Sequence, residues 1–252
     1  DTYSIVVSNV NDPPATITLN YPNDNDTAFT NRTPEYNWSR SADPDNVTLL
    51  YHLEVSTDRD FASGMVINDS GINNMTRYKQ NATLGFTTYW WRARASDNAS
   101  WSGWSATYNF TVVSSIDISL TTSVVNFGFL PVGTRNDTSD NDPSPFVLEN
   151  AGNTELNISV NASAELWLSS LAPLNSSYFQ TKANLSEIGS INTAKSQMTY
   201  INLSSEFKYI AAWFNWTARN DTITIDINIT APSDESAGTR STNITIRAEA
   251  AG

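Results

Sequence analysis

Cysteine is absent from the 252 residues. Its absence removes disulfides, thiolate metal sites and a cysteine nucleophile together. Histidine occurs once, at His52, which leaves zinc sites and Ser-His-Asp catalysis without parts. In Leu50-Tyr51-His52-Leu53, Tyr51 and Leu53 take the inner face of a strand, so His52 is expected to point outward, at the surface. Charge is scarce as well. Charged residues make up 16% of the chain, 14 basic against 26 acidic, for a net charge of -12. A chain this acidic lacks the basic face that binding to nucleic-acid phosphates needs, and its surface must be largely uncharged and polar. No apolar run approaches the roughly 20 residues of a membrane span. Nothing at Asp1 reads as a signal peptide, so a secreted form would be mature or a fragment. There is no glycine-rich phosphate loop, and no spacing singles out a carboxylate pair for glycoside hydrolysis. An enzyme is not expected.

Helical periodicity is missing too. Short strands recur every 8–15 residues with turn signals between them: Pro22-Asn23-Asp24-Asn25, Asp43-Pro44-Asp45-Asn46, Asp69-Ser70-Gly71 and Asp97-Asn98. This spacing predicts an all-β chain of antiparallel sandwiches. The length suits two domains.

What is abundant is asparagine. There are 29, and 19 of them open the N-glycosylation sequon, Asn-x-Ser/Thr with x not proline: Asn25, Asn31, Asn37, Asn46, Asn68, Asn74, Asn81, Asn98, Asn109, Asn136, Asn157, Asn161, Asn175, Asn184, Asn202, Asn215, Asn220, Asn228 and Asn243. Serine and threonine together number 60, so the same composition would yield only about 7 sequons by chance, 29 × 60/252. The excess predicts N-linked glycans on an extracellular, cell-surface protein. Strand patterning points the same way. In Leu156–Asn161 the apolar residues share one face, and Asn157 and Asn161 share the other. In Ile223–Ile229 the isoleucines point in and Asn228 is expected to point out, and Asn243 alternates likewise with Ile244. On the bland alternative, these are merely polar strand-face residues.

The chain is organised around Thr87–Val113. The first strand here sets Tyr89, Trp91, Ala93 and Ala95 on one face, with Trp90, Arg92 and Arg94 on the other. After a turn at Asp97–Ser100 comes Trp101-Ser102-Gly103-Trp104-Ser105, then the alternating Tyr108, Phe110 and Val112. A ladder of Trp90, Trp101 and Trp104 with Arg92 and Arg94 is expected, each guanidinium-on-indole contact contributing about 0.5–2 kcal/mol. The alternative is that the tryptophans are ordinary sandwich core. Trp-Ser-x-Trp-Ser after an arginine-bearing strand resembles the last two strands of a fibronectin type III domain, in the form found in cytokine receptors. Pro34-Glu35-Tyr36-Asn37-Trp38 resembles that family's second strand and Leu49–Val55 its third. The resemblance covers about Pro14–Val113 and implies the fold. The receptor subfamily's paired cysteines are absent, so receptor activity is not carried over.

Three segments follow. Residues 1–12 read as one strand, with Tyr3, Ile5 and Val7 on one face, and a linker. The ending VVSNVNDPP resembles the last strand and exit linker of cadherin-like tandem surface domains. This strand is either the end of a preceding domain or a strand donated to a neighbouring subunit, since an unpaired strand is a template for edge addition. Residues 13–113 form the fibronectin-like sandwich and 114–252 an immunoglobulin-like one. Val125-Asn126-Phe127-Gly128-Phe129-Leu130-Pro131-Val132-Gly133 followed by PFVLENAGNTELNISV resembles immunoglobulin-like domains of surface and Hydin-type proteins, and repeats of archaeal surface proteins. The resemblance places a hairpin turn at Asn150–Asn153 and a final hairpin turning at Ala237-Gly238. Residues 185–196 read as a small helix or a loop.

Calcium is the one cofactor the oxygen-rich turns suggest, with Asp137, Asp140 and Asp142 the leading ligands. Asx-rich turns also form for backbone reasons alone. The sequence therefore predicts a glycosylated structural subunit of a surface filament or layer, a homopolymer joined through its N-terminal strand. The rival is an adhesin or receptor-like ectodomain that binds carbohydrate or protein through Trp213, Phe214 and Trp216.

Overall fold

The computed structural model describes residues 3–5, 10–45 and 48–252. It divides into two compact units, Asp1–Val113 and Ser114–Gly252. Both are built from strands, and no helix occurs among the described residues.

The first unit contains β1 (Leu19–Tyr21), β2 (Asp26–Phe29), β3 (Glu35–Trp38), β4 (Leu50–Ser56), β5 (Met65–Asn73), β6 (Arg77–Lys79), β7 (Thr88–Ser96) and β8 (Tyr108–Val112). They form two sheets, ordered β1-β3-β6 and β2-β8-β7-β4-β5. The alternation that defines these strands also builds the core: Tyr36 and Trp38 from β3, Tyr51, Leu53 and Val55 from β4, and Tyr89, Trp91, Ala93 and Ala95 from β7 are all buried in one cluster. Such interdigitation of two inner faces is what a β-sandwich requires.

Two local expectations change here. Asp69-Ser70-Gly71 is not a turn but lies inside β5, where the register against β4 slips. Asp69 Oδ1 accepts from Gly71 N at 2.9 Å, so the turn chemistry is spent on an irregularity within a strand. Residues 102–107 are not strand either, and β8 starts only at Tyr108.

Tyr3 and Ile5 lie outside any strand and are 88% and 92% exposed. Strand geometry needs a partner ladder, and among the described residues none pairs with residues 3–5. Val7 lies outside the described residues, as does Asn46.

The second unit contains β9 (Ile118–Thr122), β10 (Arg135–Asp137), β11 (Phe146–Asn150), β12 (Leu156–Ala162), β13 (Phe179–Leu185), β14 (Ile201–Asn202), β15 (Lys208–Phe214), β16 (Thr222–Thr230) and β17 (Ile244–Ala250). One sheet runs β14-β13-β16-β11-β9, with β10 also on β16, and the other runs β15-β12-β17. Ile223, Ile225, Ile227 and Ile229 from β16 meet Ile158 and Val160 from β12 in a second core cluster.

Neither expected hairpin forms. Asn150–Asn153 joins β11 to β12, which belong to different sheets, and the segment through Ala237-Gly238 joins β16 to β17, again in different sheets. The Asn-Ala-Gly-Asn pattern makes a crossing instead. Asn150 is buried and its Nδ2 donates to the carbonyls of Thr154 and Phe214, both at 2.9 Å. A Cβ on Gly152 would collide with the Ser115 carbonyl oxygen, so only glycine fits there. Residues 186–196 are turns and bends without a helix.

Candidate functional site

In the first unit, β7 presents Trp90, Arg92 and Arg94 on its outer face, opposite the buried Trp91, Ala93 and Ala95. The Trp101–Ser105 segment lies along this strand. Ser102 N donates to Ala95 O at 2.8 Å while Ser102 Oγ accepts from Ala95 N at 3.0 Å. Ser105 repeats the pair with Ala93, at 2.9 and 3.1 Å. Each serine thus supplies both partners that a neighbouring strand would give. The three-residue spacing leaves Trp101 and Trp104 over the arginines. Arg94 Cζ stands 4.5 Å from the Trp101 ring centroid and 4.2 Å from that of Trp104. Arg92 Cζ stands 4.2 Å from Trp104 and 4.1 Å from Phe61. Glu54, opposite Arg92 in the β4–β7 register, pairs with it at 2.7 Å. Among the described residues no guanidinium stacks on Trp90. Phe61, with φ 57°, is a member the sequence did not signal, because it reaches the stack from the loop after β4.

His52 departs from expectation. It does point to the outer face, but it is only 7% exposed. Trp101 and Trp104 cover it, their ring centroids 5.6 and 5.0 Å from its own. Its Nε2 lies 2.7 Å from Asn68 Oδ1 and its Nδ1 3.2 Å from Arg94 Nη2. The imidazole is a structural member of the stack.

At one end of β7, Asp97 holds its turn by accepting from the backbone N–H of Ser100 and Ala99, at 2.6 and 2.7 Å, and from Asn11 Nδ2 at 2.8 Å. These bonds, that to Ser100 foremost, pull the Asp97 pKa down to about 2. Asp12 N donates to Asp45 Oδ2 at 3.0 Å. Asn11 and Asp12 therefore tie the entering segment to two turns.

In the second unit the sequon asparagines divide. Asn157 and Asn161 stand half-buried on the outer face of β12, and Asn243, just before β17, is exposed. Asn228 is 1% exposed, which overturns its expected exposure to solvent. It does leave the isoleucine face of β16, but that outer face is itself covered. Asn228 Oδ1 accepts from Arg135 Nε and its Nδ2 donates to Gln180 Oε1, both at 2.7 Å. Next to it Asp226, also 1% exposed, pairs with Lys182 Nζ at 3.5 Å. Tyr200 closes the layer, with Lys182 Nζ 4.8 Å and Arg135 Cζ 5.8 Å from its ring centroid. Burial, and secondarily the nearby Asp137 and Asp226 charges, push the Tyr200 hydroxyl far above its ordinary pKa. Asn184 Nδ2 donates to Asp226 Oδ2 at 3.3 Å, and Asn202 Oδ1 accepts from Gln180 at 2.9 Å, so these two sequons border the same layer.

No protein-family model matches the chain, and no curated protein matches it. Among solved structures, the PKD domain of an M14-like peptidase from a Thermoplasmatales archaeon aligns at 21% identity and TM-score 0.30, covering 41% of this chain and 98% of that one. The FN1–FN3 domains of chicken CNTN1 align at 10% identity and TM-score 0.32, covering 92% of this chain and 68% of that one. The CsuC–CsuE chaperone–tip adhesion subunit complex of Acinetobacter baumannii aligns at 9% identity and TM-score 0.36, covering 95% of this chain and 100% of that one. Likeness at this level carries no argument about what the chain does. The sandwich architecture itself is read from the strand order above.

The remaining candidates separate. Asp137 Oδ1 accepts from the Ser139 amide and hydroxyl and its Oδ2 meets Arg135 Nη2 at 3.3 Å. Burial opposes ionisation of Asp137, and the Ser139 bonds and the Arg135 charge outweigh it, lowering the pKa. Asp140 Oδ1 caps Asp142 N at 3.0 Å. These carboxylates serve their own turns, and among the described residues no group of three acidic, His or Cys residues is placed to hold a metal ion. Trp213, Phe214 and Trp216 do not form one exposed surface: Phe214 is fully buried core, Trp216 half-buried and Trp213 38% exposed. No helix among the described residues is long and apolar enough to cross a membrane.

Proposed function

We propose that this chain is a heavily N-glycosylated extracellular structural protein, a subunit of a surface filament or layer that joins like copies through its N-terminal segment. The observation that carries this proposal is the density of sequons, 19 against about 7 by composition. Among the described residues, eight of those asparagines are exposed: Asn25, Asn31, Asn68, Asn74, Asn81, Asn98, Asn175 and Asn243. Glycans there would shield the strand edges from proteases and from unwanted pairing. The exposed Tyr3 and Ile5 belong to the segment that would pair with a neighbour's sheet. No catalytic step is assigned, because the one imidazole is committed to the tryptophan–arginine stack.

Electron microscopy of the native material tests this reading. Ordered polymer with residues 1–10 seated in the next subunit, and density at the exposed asparagines, is the expected result. Isolated particles with bare asparagines would overturn it. Removing residues 1–10 should abolish assembly.

A second reading, an adhesin or receptor-like ectodomain, is favoured by Phe207, Tyr209 and Trp213, which are 36%, 43% and 38% exposed. Saturable binding of a glycan or protein by single, unpolymerised copies would select it.

A further inference from the structure

Asn157 sits mid-sheet on β12 and opens the sequon Asn157-Ile158-Ser159. Its carboxamide is held by its oxygen alone. Oδ1 accepts from the Tyr209 hydroxyl at 2.9 Å and from the Trp213 backbone N–H at 3.3 Å. Nδ2 makes no hydrogen bond among the described residues. With both local donors on its oxygen, the carboxamide keeps a nitrogen that no group among the described residues uses. Three other sequon amides of this unit spend theirs on protein acceptors: Asn161 Nδ2 on Ser205 O, Asn202 Nδ2 on Asn175 O and Asn228 Nδ2 on Gln180.

The two donors belong to large, exposed aromatics. Tyr209 and Trp213 are 43% and 38% exposed in the stretch of β15 where the register with β12 shifts twice. Trp213 is also held at φ 49°, the left-handed region that bulky side chains avoid. That conformation keeps its N–H on Asn157 and its ring on the open side of the sheet, where Lys195 Nζ covers it at 3.9 Å from the centroid. Strain held beside a half-buried sequon asparagine is the kind of local cost that functional positions retain.

We infer that Asn157 is a glycan attachment site whose first sugar is seated against the rings of Tyr209 and Trp213. The inference rests on the glycoprotein reading above. In the attachment, the bond from Nδ2 to the anomeric carbon forms as the anomeric carbon–oxygen bond to a glycosyl diphosphate donor breaks. Nδ2 gives up one proton and the diphosphate leaves. Oδ1 takes no part and keeps both its donors, so the seat survives modification. The pyranose C–H face then packs on the part of the Tyr209 and Trp213 rings that Lys195 leaves exposed.

The test uses the full chain, made with and without the glycosylation machinery. Glycopeptide mass spectrometry should find Asn157 occupied. Nuclear Overhauser contacts should join first-sugar protons to the Trp213 and Tyr209 rings. Trp213→Ala should lower the folding equilibrium constant roughly two- to tenfold more in the glycosylated chain than in the bare one. Asn157 bare while other sequons are occupied would overturn this inference and leave the glycoprotein reading standing. No occupied sequon at all would overturn both. Occupancy without ring contacts or coupling would overturn the seat. If Trp213→Ala does not fold, the Overhauser contacts in the unmutated glycoprotein decide.

Discussion

Arg94 donates to His52 Nδ1 through Nε and Nη2, at 3.3 and 3.2 Å. A guanidinium has no acceptor, so Nδ1 is the bare nitrogen and the proton sits on Nε2, which gives it to Asn68 Oδ1. Nitrogen chemical shifts at pH 8 should report the Nε2–H tautomer. His52→Ala leaves Arg94 and Asn68 short of a partner and opens a hole beneath Trp101 and Trp104. A loss of about 1–3 kcal/mol is expected, read as a lower urea midpoint with an unchanged slope.

The two serines of the Trp-Ser-Gly-Trp-Ser segment should matter more than their size suggests. Ser102→Ala and Ser105→Ala each strip the acceptor from a buried β7 amide, that of Ala95 or Ala93. Each should cost about 1–3 kcal/mol. The double variant should release Trp101 and Trp104 from the arginines, visible as a red shift in tryptophan emission. Ser→Thr variants, which keep the oxygen, should recover most of the loss.

How far the sequence could be read depends on whether a face is decided locally. From Thr88 to Ala95 strict alternation sorted the side chains, because strand geometry alone sets which way each one points. The same rule sent His52 and Asn228 correctly to the outer faces of β4 and β16, yet both are buried. The cover over His52 comes from Trp101 and Trp104, some fifty positions downstream, and that over Asn228 from Arg135 and Tyr200. Period-2 patterning reports direction and says nothing about a second layer laid on top. The hairpins expected at Asn150–Asn153 and Ala237-Gly238 failed for a related reason. Turn residues mark a reversal of the chain, while whether it stays in its sheet or crosses to the other is decided by distant pairing partners.

Asp97 makes the first unit sensitive to acid. Its folded-state pKa is about 2, against an ordinary 3.8. A depressed carboxylate contributes stability that is fully present above its unfolded value and is lost as pH falls through the folded one. Thermal unfolding should therefore show a decline between pH 4 and pH 2. Asp97→Asn should start lower at pH 7 and decline less across that window. Equal slopes for the two chains would remove Asp97 as the cause.

Gly152→Ala should be among the most damaging single-methyl changes in the chain. The added Cβ would meet the Ser115 carbonyl oxygen, with Asp117 N and Asn150 Oδ1 close beside it at 3.1 and 3.2 Å. Two of these are backbone atoms and cannot rotate away. About 1–3 kcal/mol of overpacking cost is expected, confined to the unfolding transition of the second unit. Gly128→Ala meets no atom within 4 Å but is strained at φ 62°. It should cost less, about 1 kcal/mol.

Asn228 separates sequon from glycan. A transferred sugar would have to replace a hydrogen on an Nδ2 that lies 2.7 Å from Gln180 Oε1 in a side chain 1% exposed. No saccharide fits there without lifting the polar layer that holds Asp226, Lys182 and Arg135. Peptide mapping of the native protein should find Asn228 unmodified even where Asn175 and Asn243, both exposed, carry glycans. Asn228→Ala should then leave the glycan count unchanged. It should also destabilise the second unit by about 1–3 kcal/mol, because Arg135 Nε and Gln180 lose their partner in a buried network. Thr230→Ala, which destroys the sequon but leaves the Asn228 side chain in place, should do far less. A modified Asn228, or a Thr230→Ala loss as large as that of Asn228→Ala, would mean that the asparagine acts through its sequon and not through its hydrogen bonds.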